Sequence, residues 1–293
     1  MPFDPQDPRD RSAVAALAAL GGTARFTELM TRGVTRHALR AGLHDGAIVR
    51  PHRGTYALPD ALRAERLGTI FRAEPTCVTR CELAGLPVLD RDIRCHLWVP
   101  YDRSLSRDSG RPVAEIHLHR RDDVDAAYAR TLAGAIDIAG LCTTERNQLV
   151  IVDAAIHRGL LSLDAIAEFR ISSRERKSFL ARYVDPRSES PSETCARLAL
   201  VEAGFSVEIQ RPLIPHRRTD IVVERRLALE VDSEAHHSSW EAQQQDRDRD
   251  RQVLIRGLPT MRIGFRDAVN SMGEIVEDVR AALWRRGWRP AVP

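Results

Sequence analysis

The stretch from Asp220 to His237 limits the folds open to this chain, because it sets two apolar segments around a short polar interval and loads them with ionisable groups. Val222-Val223 and Leu227–Leu229 are strand-like, and Glu224-Arg225-Arg226 between them has the length and polarity of a hairpin turn. Asp220 opens the first strand. Glu230 and Asp232 lie two apart on the second and share a face. Carboxylates gathered in this way repel one another unless a cation or shared protons neutralise them, and Mg²⁺ or Mn²⁺ suits such hard oxygens. A histidine pair, His236-His237, follows at once.

The flanking sequence fits a sheet covered by helices. Ser190-Pro191-Ser192-Glu193 has the cap, the early proline and the first-turn carboxylate of a helix start, and Gly204 ends that helix. Val207–Gln210 begins the sheet, and Thr260–Gly264 supplies its last strand. Between them, Trp240–Arg251 is polar or charged at nearly every position; as a helix it sets Asp246 and Asp250 one turn apart among Arg247, Arg249 and Arg251. Ile275–Trp284 closes the chain as an amphipathic helix.

Together these residues resemble the PD-(D/E)XK restriction-endonuclease-like superfamily and, within it, a bacterial family related to the very-short-patch mismatch repair endonuclease. The resemblance covers Asp185 to Val269 and rests on Asp185–Glu193, Leu198–Gly204, Asp220, Leu227–Asp232, His236-His237, Asp246 with Asp250, Met261–Ile263 and Phe265–Asp267. It implies a restriction-endonuclease-like fold whose first helix holds Glu193 over the carboxylate pocket. Asp220, Glu230 and Asp232 would hold the metal there, with His237 as the base that takes a proton from water. Phosphate contact by Arg247 or Arg251 is implied as well. This sequence departs from the pattern twice. Asp232 stands where the wider superfamily has Lys, and Ser233 stands where the family has Gly, whose backbone freedom Ser lacks.

At the other end, alanine-rich Ser12–Leu20 reads as a helix stopped by Gly21-Gly22. Arg25–Thr31 and Val34–His44, separated at Gly33, read as two short helices, the second with Thr35 as cap and Arg36, His37 and Arg40 outward. Ala47–Leu58 reads as strand, basic turn, strand, with Arg50 and Arg53 on the wing. A helix-turn-helix followed by such a wing is a winged helix, a common DNA reader and also a protein-docking module. Residues 12–60, ending in Gly54-Thr55-Tyr56, resemble the N-terminal domain of AbiEi-type antitoxins.

The expected organisation is therefore α/β (α+β). A winged helix-turn-helix occupies residues 1–60, a mixed α/β scaffold 61–184 and the endonuclease-like domain 185–293. In the scaffold, helices are expected over Leu62–Ala73, Cys77–Gly85, Val124–Ala139, Arg146–Gly159, Leu163–Phe169 and Arg174–Tyr183, with strands at Cys95–Pro100 and Val113–His119. Five irregularly spaced cysteines exclude a disulfide framework. Cys77, Cys81 and Cys95 with His96 make a poor zinc pattern, so buried free thiols are expected. His117 and His119 share a strand face at the spacing of a metal pair, but no third ligand stands near them in sequence. No apolar run of about 18 residues is present and the N-terminus lacks a signal-peptide pattern, so a cytoplasmic protein is expected. A net charge of +3 decides nothing about nucleic acid; clustering of the basic residues, all arginine but Lys177, would decide it.

The leading expectation is a DNA-binding protein that hydrolyses DNA phosphodiesters with Mg²⁺ or Mn²⁺. The alternative is a non-enzymatic, antitoxin-like repressor that keeps the nuclease fold as a binding platform. Expected partners are DNA, a second copy of the chain and, for an antitoxin-like protein, a cognate toxin.

Overall fold

The computed structural model describes residues 8–102, 111–214, 217–231 and 258–289. The chain divides into two compact units, Met1–Gly85 with Asp90–Cys142 and Leu86–Leu89 with Thr143–Pro293. The divisions expected near residues 60 and 184 fall inside these units.

The first unit begins with α1 (Pro8–Ala19), β1 (Thr23–Arg25), α2 (Phe26–Thr31), α3 (Arg36–His44), β2 (Val49–His52) and β3 (Thr55–Ala57). Leu17, Leu29, Val34, Ala38, Leu39 and Ile48 form its core. Thr35 caps α3 as expected, its Oγ1 accepting from the Ala38 amide at 3.1 Å. The wing turns at Gly54, whose φ of +75° is costly for any residue with a Cβ. β1 is new: it completes a sheet of order β1-β3-β2, with Ala24 opposite Tyr56. Three residues are too few to show a period, so only the pairing reveals this strand.

A second small sheet follows in the same unit, built from β4 (Glu74–Pro75), β5 (Cys95–Trp98) and β6 (Ile116–His119) in the order β4-β5-β6. It packs with α4 (Arg63–Phe71), α5 (Cys77–Leu83) and α6 (Ala126–Arg130), and α7 (Leu132–Ala139) packs on α5 and α6. β5 and β6 run parallel, with His96 beside His117 and Trp98 beside His119. The single helix expected over Val124–Ala139 is two. Thr131 is extended at φ −71°, ψ 153°, and its Oγ1 accepts from the Gly134 amide at 2.9 Å to start α7 afresh. Residues Val113–Glu115 form a 3-10 turn before β6 rather than part of the strand.

The second unit holds α8 (Glu145–His157), α9 (Arg174–Tyr183), α10 (Pro191–Glu202), β7 (Val207–Ile214), β8 (Arg217–Val223), β9 (Leu227–Val231), β10 (Thr260–Ile263), α11 (Phe265–Asn270) and α12 (Met272–Arg285). The segment Leu163–Ile166, expected as helix, is a 3-10 turn. Strands β7, β8 and β9 form an antiparallel meander, and β10 lies parallel to β9, giving the order β10-β9-β8-β7. The hairpin expected at Glu224–Arg226 is present, with Glu224 and Arg225 at φ of 52° and 53°. Ile221, Val223, Leu227 and Leu229 on the sheet meet Ala196 and Leu200 of α10 and Val279 and Leu283 of α12. No helix among the described residues is long and apolar enough to cross a membrane.

Candidate nucleic-acid interface

The helical period of α3 turns Ala38, Leu39 and Gly42 into the core and leaves Arg36, His37 and Arg40 exposed. Gly42 suits that close packing: a Cβ on it would sit 3.2 Å from the Ile48 side chain beneath, which would have to shift by a few tenths of an ångström. On the wing, Arg50 and Arg53 are exposed as well. Two of these guanidiniums rest near aromatic rings, Arg36 at 5.6 Å from the centre of Phe26 and Arg50 at 5.9 Å from that of Tyr56. Arg40 Nε donates to the Arg36 carbonyl at 3.4 Å. The result is a helix and an adjacent hairpin tip that both present planar, multi-donor cations, the groups that grip phosphates and guanine edges.

In the second unit, the pair Ile221 and Leu229 is followed outward by Asp220 on β8 and Glu230 on β9. The Val231 amide donates to Asp220 Oδ2 at 2.9 Å, and Glu230 is buried. Glu193 lies in the first turn of α10, where Ser190 Oγ accepts from its amide. Its Oε2 accepts from the Glu189 amide at 3.1 Å and from Gln210 Nε2 at 3.0 Å. Burial pushes the Glu193 carboxyl up, and the negative charge of Asp220 nearby adds to that. Among the described residues, however, Glu193, Asp220 and Glu230 do not come together as a metal-ligating group. Asp232, His236, His237, Asp246, Arg247, Asp250 and Arg251 lie outside the described residues.

The metal-ligating group that does form among the described residues is of another kind: Cys77, His96, His119 and Cys142. The sequence offers Cys77, Cys81 and Cys95 with His96 only as a poor zinc pattern and leaves His117 and His119 without a third ligand; the parallel pairing of β5 and β6 brings His96 and His119 together with Cys77, and Cys142 joins after α7. Spacing along the chain carries no trace of that register. Cys81 and Cys95 stay out of the group as the buried free thiols expected, pushed up to about 12 and about 11 by burial.

No curated protein matches this chain. A crystal structure of the RV2827C protein from Mycobacterium tuberculosis is similar at 19% identity, covering 68% of this chain and 78% of that one with a TM-score of 0.30. Residues 12–59, spanning α3 and the wing, match the family described as transcriptional regulator, AbiEi antitoxin, so the chain carries an N-terminal domain of that family.

Proposed function

We propose that this protein is a DNA-binding regulator that docks α3 in the major groove and lays its wing along the phosphate backbone. The observation that carries this is the joint exposure of Arg36, His37 and Arg40 on α3 and of Arg50 and Arg53 on the wing, within a domain of a transcriptional-regulator family. Such a protein works where the chromosome is, in the cytoplasm, and the antitoxin family suggests a cognate toxin as a second partner. A homodimer would suit a paired DNA site.

Fluorescence anisotropy with the DNA upstream of its own gene tests this. Arg53→Ala, a phosphate contact, should weaken binding to all sequences alike and reduce the salt slope by about 0.9. Arg36→Ala or Arg40→Ala at a base edge should cost about 1–3 kcal/mol and relax sequence preference. Binding that ignores all three changes would remove the winged helix from the interface.

The charge of Asp220 felt by the Glu193 carboxyl, with Glu230 on the adjoining strand β9, favours a second reading: phosphodiester hydrolysis using Mg²⁺ or Mn²⁺. The three described carboxylates do not make a coordination set by themselves, so this reading requires Asp232 as ligand, His237 as base, and Arg247 or Arg251 on phosphate. Supercoiled plasmid incubated with either cation separates the two. Nicking that vanishes in Asp220→Asn and Glu230→Gln would establish hydrolysis, whereas sequence-selective binding without nicking leaves the regulator.

A further inference from the structure

Four soft donors from four separate segments meet in the first unit. Cys77 opens α5, His96 lies in β5, His119 ends β6 and Cys142 follows α7, and their ligand atoms all lie within 4.8 Å of one another. His96 Nδ1 is 3.2 Å from both Cys77 Sγ and His119 Nε2, and Cys142 Sγ is 3.8 Å from His119 Nε2. Zinc bonds of about 2.3 Å to sulfur and about 2.0 Å to nitrogen give tetrahedral ligand-to-ligand edges of roughly 3.3–3.8 Å. These three separations sit close to those edges, and the remaining pairs stay within 4.8 Å.

The surroundings of His96 point the same way. Its Nε2 faces the Asp92 carboxylate at 3.2 Å, which places the proton of a neutral imidazole there and leaves a lone pair on Nδ1. That single lone pair faces a thiol and a second ring nitrogen at equal distance, as it would around a shared cation. Asp92 is itself fixed by Arg94 Nη2 at 2.7 Å, so carboxylate, imidazole and centre stand in the order usual for a histidine-bound zinc. Cys77, His96 and His119 are 0%, 2% and 6% exposed. Cys77 also holds a left-handed backbone, φ 53°, a strained conformation that persists where the surroundings dictate where a side chain is aimed.

We propose that Cys77, His96, His119 and Cys142 form a structural zinc site that clips α5, β5, β6 and the end of α7 together. Two thiolates and two neutral imidazoles neutralise the ion, which suits a buried position, and the thiol protons leave to solvent on binding. Sulfur and imidazole donors select zinc over the hard cations expected for carboxylates, and a complete quartet leaves no open position for chemistry. The sheet it braces is small, with strands of two to four residues, so a staple contributes where the core is thin. This site is independent of the regulator reading.

Full-length protein, grown with zinc and purified under reducing conditions, should carry about one zinc ion per chain by plasma mass spectrometry. Co²⁺ in its place should give tetrahedral d–d bands and a thiolate charge-transfer band. Cys142→Ser, at an exposed position that spares the core, should lower the zinc content to below about one tenth. Asp92→Asn should weaken Zn²⁺ affinity about 10–100-fold. His117→Ala tests the choice of ring: His117 stacks on His96 at 4.6 Å and its Nε2 lies 3.7 Å from Cys142 Sγ, but it stands outside the quartet, so zinc content should hold. The proposal is overturned by metal-free protein that also fails to take up Co²⁺, by an octahedral Co²⁺ spectrum, by full zinc content in Cys142→Ser, or by a Cys77–Cys142 disulfide in the intact mass.

Discussion

Asp153, in the middle of α8, shows how much one buried carboxylate can organise. It accepts from the Asp185 amide at 2.9 Å, from Thr194 Oγ1 at 2.9 Å and from Arg197 Nη2 at 2.8 Å, tying α8 to the approach and body of α10. The sequence suggests only a local cap or pair, since its partners lie more than thirty residues away. With Arg197 also buried, Asp153→Ala would leave a guanidinium uncompensated, and urea unfolding at neutral pH should show a loss of about 3–5 kcal/mol. A loss below about 1 kcal/mol, the worth of an exposed pair, would mean that water reaches the site. Burial outweighs the attraction of Arg197 and raises the Asp153 carboxyl from 3.8 to about 6. The folded protein then keeps a proton that the unfolded chain has released across that interval. This contribution is therefore complete below pH 3.8 and is lost as pH rises through about 6. Urea midpoints of the parent protein should carry that decline, and those of Asp153→Asn should lack it.

Among the elements, those with a sequence-encoded start and a long period were legible. Thr35 before α3, Ser190-Pro191 before α10 and the Glu224–Arg226 hairpin each signal a boundary through local chemistry, and α9 spans the expected Arg174–Tyr183. Thr35→Ala, removing the oxygen that receives the Ala38 amide, should destabilise the winged helix by about 1 kcal/mol in thermal unfolding. An unchanged Tm would show that the cap is redundant there. Elements defined by their neighbours were missed. β1 exists through its pairing with β3, and the break at Thr131 depends on a side chain choosing to cap a new helix inside an apolar run. α11, Phe265–Asn270, buries only Ala268 and Val269, so its sequence offers no apolar stripe at helical spacing.

At the scale of the molecule, each unit has an interior of its own: the helix and sheet clusters around Leu17 and Leu97 in the first, and the cluster around Leu229 in the second. Calorimetry should therefore resolve separate transitions, and a zinc chelator should lower the one belonging to the first unit while leaving the other in place. A chelator that shifts both equally, or neither, would contradict the assignment of the ion to the Cys77, His96, His119 and Cys142 group. The acidic stretch of the second unit was legible as strands and turn, with Ile221 paired to Leu229 and Val223 to Leu227 across the hairpin. Which of its groups touch is a different matter. Hydrogen bonds from Val231 to Asp220 and from Gln210 to Glu193 are set by register and by a left-handed residue at Gln210.

By itself the sequence determined whatever depends on neighbours a few positions away: the capped, basic face of α3, the wing turn at Gly54, and the two strands about Glu224–Arg226. The tertiary structure alone decided which distant donors share a point in space. Between Cys77 and Cys142 the chain forms β5 and β6, and the parallel pairing of these two strands brings His96 and His119 to the two thiols. Side-chain period and capping act over one or two turns of chain, whereas register is fixed by the packing of whole strands, and that information is spread over residues that never become ligands.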